Sequence, residues 1–202
     1  DRYLLARTRK LIANVTEHMD NFEISDACDE VADFIDMLTN WYIRNTRDRF
    51  WNEDENAFNT LYTVLEAFMR VLAPLAPMEA EAVWRGLTGG DSLHLGDWPY
   101  LTDPQTGVDT ALGKVLVEDG ALVEAMDKVR EIVSSTLSLR KAHKMRVRQP
   151  LAKLTVVVDD PSQVDGYDAL LKSELNIKAI DYSTPVSYTH LRAPETVLDL
   201  VC

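Results

Sequence analysis

Apolar positions recur at helical spacing from the first residues: Leu4, Leu5, Thr8, Leu11, Ile12, Val15 and Met19 form one stripe over residues 1 to 19 and predict an amphipathic helix. After "DNFE", Ser25 or Asp26 caps a second helix with Val31, Phe34, Ile35, Leu38, Trp41 and Tyr42 on its inner face. The polar break "NEDEN" precedes a third helix, from about Ala57 to Ala73. Leu61, Leu65, Phe68, Met69 and Leu72 face inward there, and Pro74 and Pro77 end it. A short fourth helix runs through Trp84 to Leu87. Residues 88–112, rich in Gly, Pro and Asp, read as a long surface connection with one extended piece at "SLHL". A long fifth helix follows from about Val115 to Lys144, with Leu122, Met126, Val129, Val133 and Leu137 on its stripe and a candidate break at Gly120. Then the period changes. "LAKLTVVVDD" is a β-branched strand, "YDALLKSEL" a short helix and "NIKAIDY" a second strand. The expected fold is mainly α: a helical bundle over 1–148, then a small α/β segment over 149–184, without internal repeat.

At 202 residues and 46% hydrophobic, such a chain buries one good core without disulfides or metals. Cys28 and Cys202 are far apart, outside any CxxC or Cys/His spacing, which argues against a disulfide framework or zinc site. No apolar run reaches the roughly 18 residues of a membrane span, and no segment resembles a signal peptide, so a cytoplasmic location is expected. The net charge of -12 argues against a generally basic, DNA-binding surface. Nucleic-acid contact would have to come from local clusters.

Two such clusters exist. In "NWYIRNTRDRFW", helical phase puts Asn40, Arg44, Arg47 and Trp51 within about 60° of one another, opposite the apolar stripe. Guanidinium groups pair bidentately with phosphate oxygens, and an indole face accepts an unstacked base, which suits single-stranded RNA loops. Equally, Arg44, Arg47 and Arg49 could make surface pairs with Asp33, Asp36, Asp48 or Glu53, while the aromatics close the bundle end. In "RKAHKMRVRQPL", Arg140, Lys141, Lys144, Arg146 and Arg148 turn the end of the fifth helix basic. That marks a surface facing a polyanion, or cations that complement the helix dipole.

Catalytic chemistry has little to stand on. His18, His94, His143 and His190 are scattered, without HExxH spacing, and "TGGDS" lacks the strand, lysine and helix of a phosphate loop. No catalytic residue and no metal ligand is expected.

The series "NWYIRNTRDRFW", "FNTLYTVLEAFMRVLAPLAPMEAEAVWRGLTG", "SLHLGDWP" and "LSLRKAHKMRVRQPL" resembles the isoleucyl-tRNA synthetase family of class I synthetases, in its anticodon-binding region. The valyl and leucyl families share the helical architecture and a related "DWP" turn; the "RKxxxxRVRQPL" junction favours isoleucine. The resemblance implies a helical bundle that holds the anticodon stem and loop of an isoleucine-specific tRNA, within a ligase using ATP and Mg²⁺. The ATP-binding HIGH and KMSKS signatures and the editing domain are absent, so the resemblance implies a fragment without aminoacylation activity or cofactor of its own. It also implies RNA contact by the two clusters. A helical protein-docking scaffold is the alternative, because Arg and Trp dominate protein hot spots too. The resemblance stops before residues 185–202. There "SYTHLRAPET" is similar to a translated sequencing adapter, so a non-native, poorly packed tail is expected, without a role for His190, Arg192 or Cys202.

Overall fold

A computed structural model describes residues 1–184 and the strand 199–201. The chain forms two compact units, Asp1–Gly120 and Ala121–Cys202. The long helix therefore belongs with the α/β segment, whereas the sequence pattern placed the boundary at 148.

The first unit is helical. Its helices are α1 (Arg2–Asp20), α2 (Ile24–Asp36), α3 (Arg44–Trp51), α4 (Glu55–Leu72), α5 (Pro77–Thr88) and the single turn α6 (Ala111–Val115). Helix α1 packs on α2 and α4, and α4 also meets α5 and α3. Leu4, Leu11, Ile12 and Val15 are buried along α1, and Phe34 of α2 meets Phe68 of α4 with ring centroids 5.0 Å apart. Burying a side chain of this size contributes roughly 1.5–3 kcal/mol. Within this interior Arg7 is 5% exposed and bridges to α2, donating to Asp33 at 2.6 Å with Glu30 at 3.8 Å. Asp54 caps α4, accepting from the backbone N–H groups of Asn56 and Ala57. Pro77 opens α5, and Gly89 ends it in the left-handed conformation, φ 64°.

Between α2 and α3 the chain does not break. It widens into a π-helical stretch, Met37–Ile43. The wider turn lets Met37 and Leu38 both point inward with Trp41 and Tyr42, and leaves Ile35 41% exposed instead of at the core position that regular α phase assigns it. In α4 the buried face is Ala57, Val64, Ala67, Phe68, Met69 and Val71, so Leu61, Leu65 and Leu72 are only partly covered.

The connection 88–112 is more ordered than its composition suggests. "SLHL" is a 3₁₀ turn, Leu93–Leu95, not an extended piece. Glu81 of α5 accepts from the Ser92 hydroxyl and the Leu93 N–H, and Trp98 Nε1 donates to Thr16 Oγ1 of α1 at 3.0 Å. Arg9 then donates to the carbonyls of Gly113 and Leu116, both at 3.0 Å, tying α6 to α1. The "DWP" motif is thus a fastening between loop and bundle.

The second unit opens with α7 (Gly120–Ala142). Val123, Met126, Val129, Ile132, Val133, Thr136 and Arg140 are buried along it. The stripe runs through Thr136 and Arg140, where sequence phase carries it through Leu137, Arg140 and Lys144. Strand β1 (Leu151–Val157), helix α8 (Asp168–Leu175) and strand β2 (Ile177–Ser183) form a parallel β-α-β unit, Leu151 opposite Ile177 and Val157 opposite Ser183. Leu154, Val156, Leu171, Leu175 and Ile177 make its core. A third strand, β3 (Asp199–Val201), lies parallel to β1 in the order β2-β1-β3. The rest of 185–202, on which the expectation of a non-native tail falls, lies outside the described residues. Among the described residues no helix is long and apolar enough to cross a membrane.

Candidate nucleic-acid interface

The first basic surface belongs to the helical unit. With Leu38, Trp41 and Tyr42 buried, the opposite side of the π-helical stretch and α3 exposes Asn40, Arg44, Arg47 and Trp51, the last 87% exposed. A solvated indole that large contributes nothing to packing and is available to stack. Asn40 is held by its own helix, its Nδ2 donating to Asp36 Oδ1 at 2.7 Å.

Arg49 has a different task. Its guanidinium donates to both oxygens of Asp1, at 2.7 and 2.9 Å, and to Asp54 at 2.8 Å, while the Tyr42 hydroxyl donates to Asp1. The hydrogen bond from Arg49 holds the Asp54 carboxyl below its ordinary value. This network joins the chain start, α3 and the cap of α4. The acidic partners are Asp1 and Asp54, neither of which the charge pattern nominated, and Asp33 is taken by Arg7.

Sequence phase missed two aromatics here. Phe58 and Tyr62, one turn apart on α4, are 48% and 46% exposed, and Phe58 meets Phe50 of α3 edge-on at 5.3 Å. The signal was their spacing: residues 58 and 62 fall off the phase set by Ala57 and Val64. The α3–α4 corner therefore offers arginine and aromatic surface together.

The second basic surface belongs to the α/β unit. Helix α7 ends at Ala142, two residues before the sequence pattern predicts, and Lys144 turns the chain with φ 56°. Lys141, Lys144, Arg146 and Arg148 are all exposed. Arg140 is not among them. It is 0% exposed and donates through Nη1 and Nη2 to the carbonyls of Leu175, Arg146, Val147 and Gln149, so both terminal nitrogens are engaged inside the unit. The sequence pattern carries the stripe of this helix through Arg140 and reads it there as an exposed basic face; the structure keeps the stripe buried at Arg140.

These surfaces can engage phosphate oxygens and stack bases. They offer no nucleophile paired with a base. Among the described residues, one group brings potential metal-ligand atoms within 4.8 Å of one another, the half-buried His18 with the exposed Glu23 and Asp26. Within it His18 Nδ1 already pairs with Glu23 at 2.8 Å.

Comparison with known proteins agrees with this geometry. Residues 1–157 match the family described as the anticodon-binding domain of tRNA ligase. An isoleucine–tRNA ligase of Bifidobacterium longum is 72% identical over 184 residues, 91% of this chain and 17% of that protein. Those of Nocardia farcinica and Corynebacterium efficiens are 44% and 46% identical, over 93% and 92% of this chain and 17% of each relative. The chain thus spans about a sixth of the length of these relatives. With more than three quarters of its residues matched, and its basic residues displayed on two surfaces of a largely helical fold, the chain belongs to the family of tRNA-ligase anticodon-binding domains.

Proposed function

We propose that the chain holds the anticodon stem-loop of an isoleucine tRNA, as the RNA-docking part of an isoleucine–tRNA ligase working in the cytoplasm. The observation that carries this reading is the exposure of Arg44, Arg47 and Trp51 around one helix whose other side is core, in a chain matched to this family over residues 1–157. Arg44 and Arg47 contact phosphates, and Trp51 stacks on a loop base, a contact worth about 1–3 kcal/mol. Lys141, Lys144, Arg146 and Arg148 add phosphate contacts from the second unit. The net charge of the whole chain, -12, discourages non-specific RNA binding and leaves recognition to these patches.

Each of these side chains has a contact role, not a catalytic one. The residues present do not fit ATP and Mg²⁺, since the sequence has no phosphate-holding signature. Activation of isoleucine falls to other parts of the ligase, and the purified chain is expected to give no isoleucine-dependent pyrophosphate exchange. Reversing Arg44 and Arg47 to Glu tests the docking role. Affinity for an isoleucine-tRNA anticodon stem-loop should fall at least tenfold, with the melting temperature within a few degrees, because exposed changes typically cost under about 0.5 kcal/mol each. Unchanged affinity would contradict the assignment and favour a protein partner for this face.

A further inference from the structure

Arg140 is the largest fully buried side chain of the described residues, and its surroundings give it a purpose. Four carbonyl oxygens converge on it. Nη1 donates to Leu175 at the end of α8 (3.0 Å), and Nη2 donates to Arg146 (2.6 Å), Val147 (3.2 Å) and Gln149. A second clamp acts on the same turn. Asn176, the left-handed residue after α8 (φ 50°), donates through Nδ2 to the carbonyls of Val147 and Arg148, at 3.2 and 3.0 Å. The turn closes on itself through Gln149 N–H to Arg146 O (3.0 Å) and joins α7 through Met145 N–H to Arg140 O (2.8 Å). Drawing the carbonyls of residues 146–149 inward leaves the side chains of Arg146 and Arg148 exposed, beside Lys144 and Lys141.

An aliphatic residue would fill the place of Arg140 without desolvating a charge. What the guanidinium adds is direction, because its planar fork fixes several carbonyls at set angles. Four cations within eight residues repel one another, and an unclamped turn would spread them. We propose that Arg140, with Asn176, is a positioning residue for RNA binding: it holds the 144–149 turn so that Lys144, Arg146 and Arg148 meet phosphates as a preorganised set. The inference rests on the RNA-docking reading above.

The test is a double-mutant cycle on the full chain, with an isoleucine-tRNA anticodon stem-loop as probe. Arg140→Lys keeps the charge but cannot span four carbonyls. Asn176→Gly keeps the left-handed backbone and removes only the second clamp, so it carries the test should Arg140→Lys fail to fold. Both should speed trypsin cleavage after Arg146 and Arg148. Arg140→Lys should weaken RNA binding about tenfold and Asn176→Gly several-fold. In a Lys144→Gln/Arg146→Gln/Arg148→Gln background neither should cause a further loss, because the side chains they position are gone. Equal losses in both backgrounds, or wild-type affinity for both clamp variants, would overturn the role of Arg140 and Asn176. Absence of binding by the wild type would instead sink the RNA reading itself, while faster trypsin cleavage in the variants would still support the clamp.

Discussion

Two glycines in helices should respond to alanine with opposite signs. In an exposed helix interior Gly→Ala stabilises by about 0.8–1.0 kcal/mol, because alanine restricts the unfolded chain and favours the helix. Gly86 of α5 is such a case: a Cβ built there meets nothing within 4 Å. Gly113 of α6 is the reverse. A Cβ there would stand 2.0 Å from the carbonyl oxygen of Leu101 and 2.9 Å from its carbon, backbone atoms that cannot swing aside. Restoring ordinary contact of 3.4 Å requires a shift of 3.4 − 2.0 = 1.4 Å. That shift breaks the bonds from Thr110 N–H (3.0 Å) and Thr110 Oγ1 (3.2 Å) to the same carbonyl. Overpacking costs about 1–3 kcal/mol and each lost hydrogen bond about 0.5–1.5 kcal/mol. Against a helix-propensity gain near 1 kcal/mol, Gly113→Ala should still lose about 1–5 kcal/mol. At about 2–4 °C per kcal/mol for a chain of this size, its melting temperature should drop by roughly 2–20 °C, while Gly86→Ala rises by a few degrees. Thermal unfolding followed by far-UV circular dichroism reads both. A Gly113→Ala chain melting at or above the wild type would refute the close approach of the 96–110 loop to α6.

The remaining expectations concern the buried side of the first basic surface and its ion pairs. Leu38→Ala, at a position 4% exposed, should cost about 2–5 kcal/mol as a core cavity; a variant melting like the parent would show that the π-helical phase is wrong. Asp54, Glu81, Asp103 and Asp160 are held below their ordinary values, first of all by Arg49, by Arg85, by the Gln105 N–H and by Ser162 respectively. Their contribution is present above the unfolded values of 3.8 to 4.5 and lost as pH falls through the lower folded ones, so the melting temperature should decline below about pH 4. His18 is raised above 6.5, chiefly by its hydrogen bond with Glu23. Its contribution is present below pH 6.5 and lost as pH rises through the folded value. Glu23→Gln should flatten the melting profile between pH 6 and 8, and an unaltered profile would contradict the pairing.

Much of this fold is legible in the sequence, because long amphipathic helices announce themselves by period. Helix α1, the helix, strand, helix and strand order of the second unit, and the exposed set Asn40, Arg44, Arg47 and Trp51 all follow from spacing. The corrections arise where the backbone departs from regular α phase or a side chain finds a partner distant in sequence, neither of which local phase registers. Arg140 looks like the first residue of a basic face, yet its carbonyl partners come from a turn six to nine residues on and from α8. Ile35 looks like core, but the π-helical stretch widens the turn after it and gives the place to Met37. "SLHL" alternates like a strand, yet the fixed carboxylate of Glu81 rewards a 3₁₀ turn. Arg49 is tied down by Asp1, 48 residues away in sequence, a pairing that charge spacing does not reveal.

RNA docking through a few cationic side chains is tested most directly by the salt dependence of binding. Affinity of the purified chain for an isoleucine-tRNA anticodon stem-loop should be measured by titration at a series of salt concentrations. Six exposed cations, Arg44, Arg47, Lys141, Lys144, Arg146 and Arg148, predict a linear log-log plot. With four to six of them engaged, at about 0.7 released counterions per single-strand phosphate contact, the slope should lie near -3 to -4. Arg44→Glu/Arg47→Glu should make it shallower by about 1.5. A flat plot, or the same slope in that variant, would contradict the claim that these residues hold the RNA.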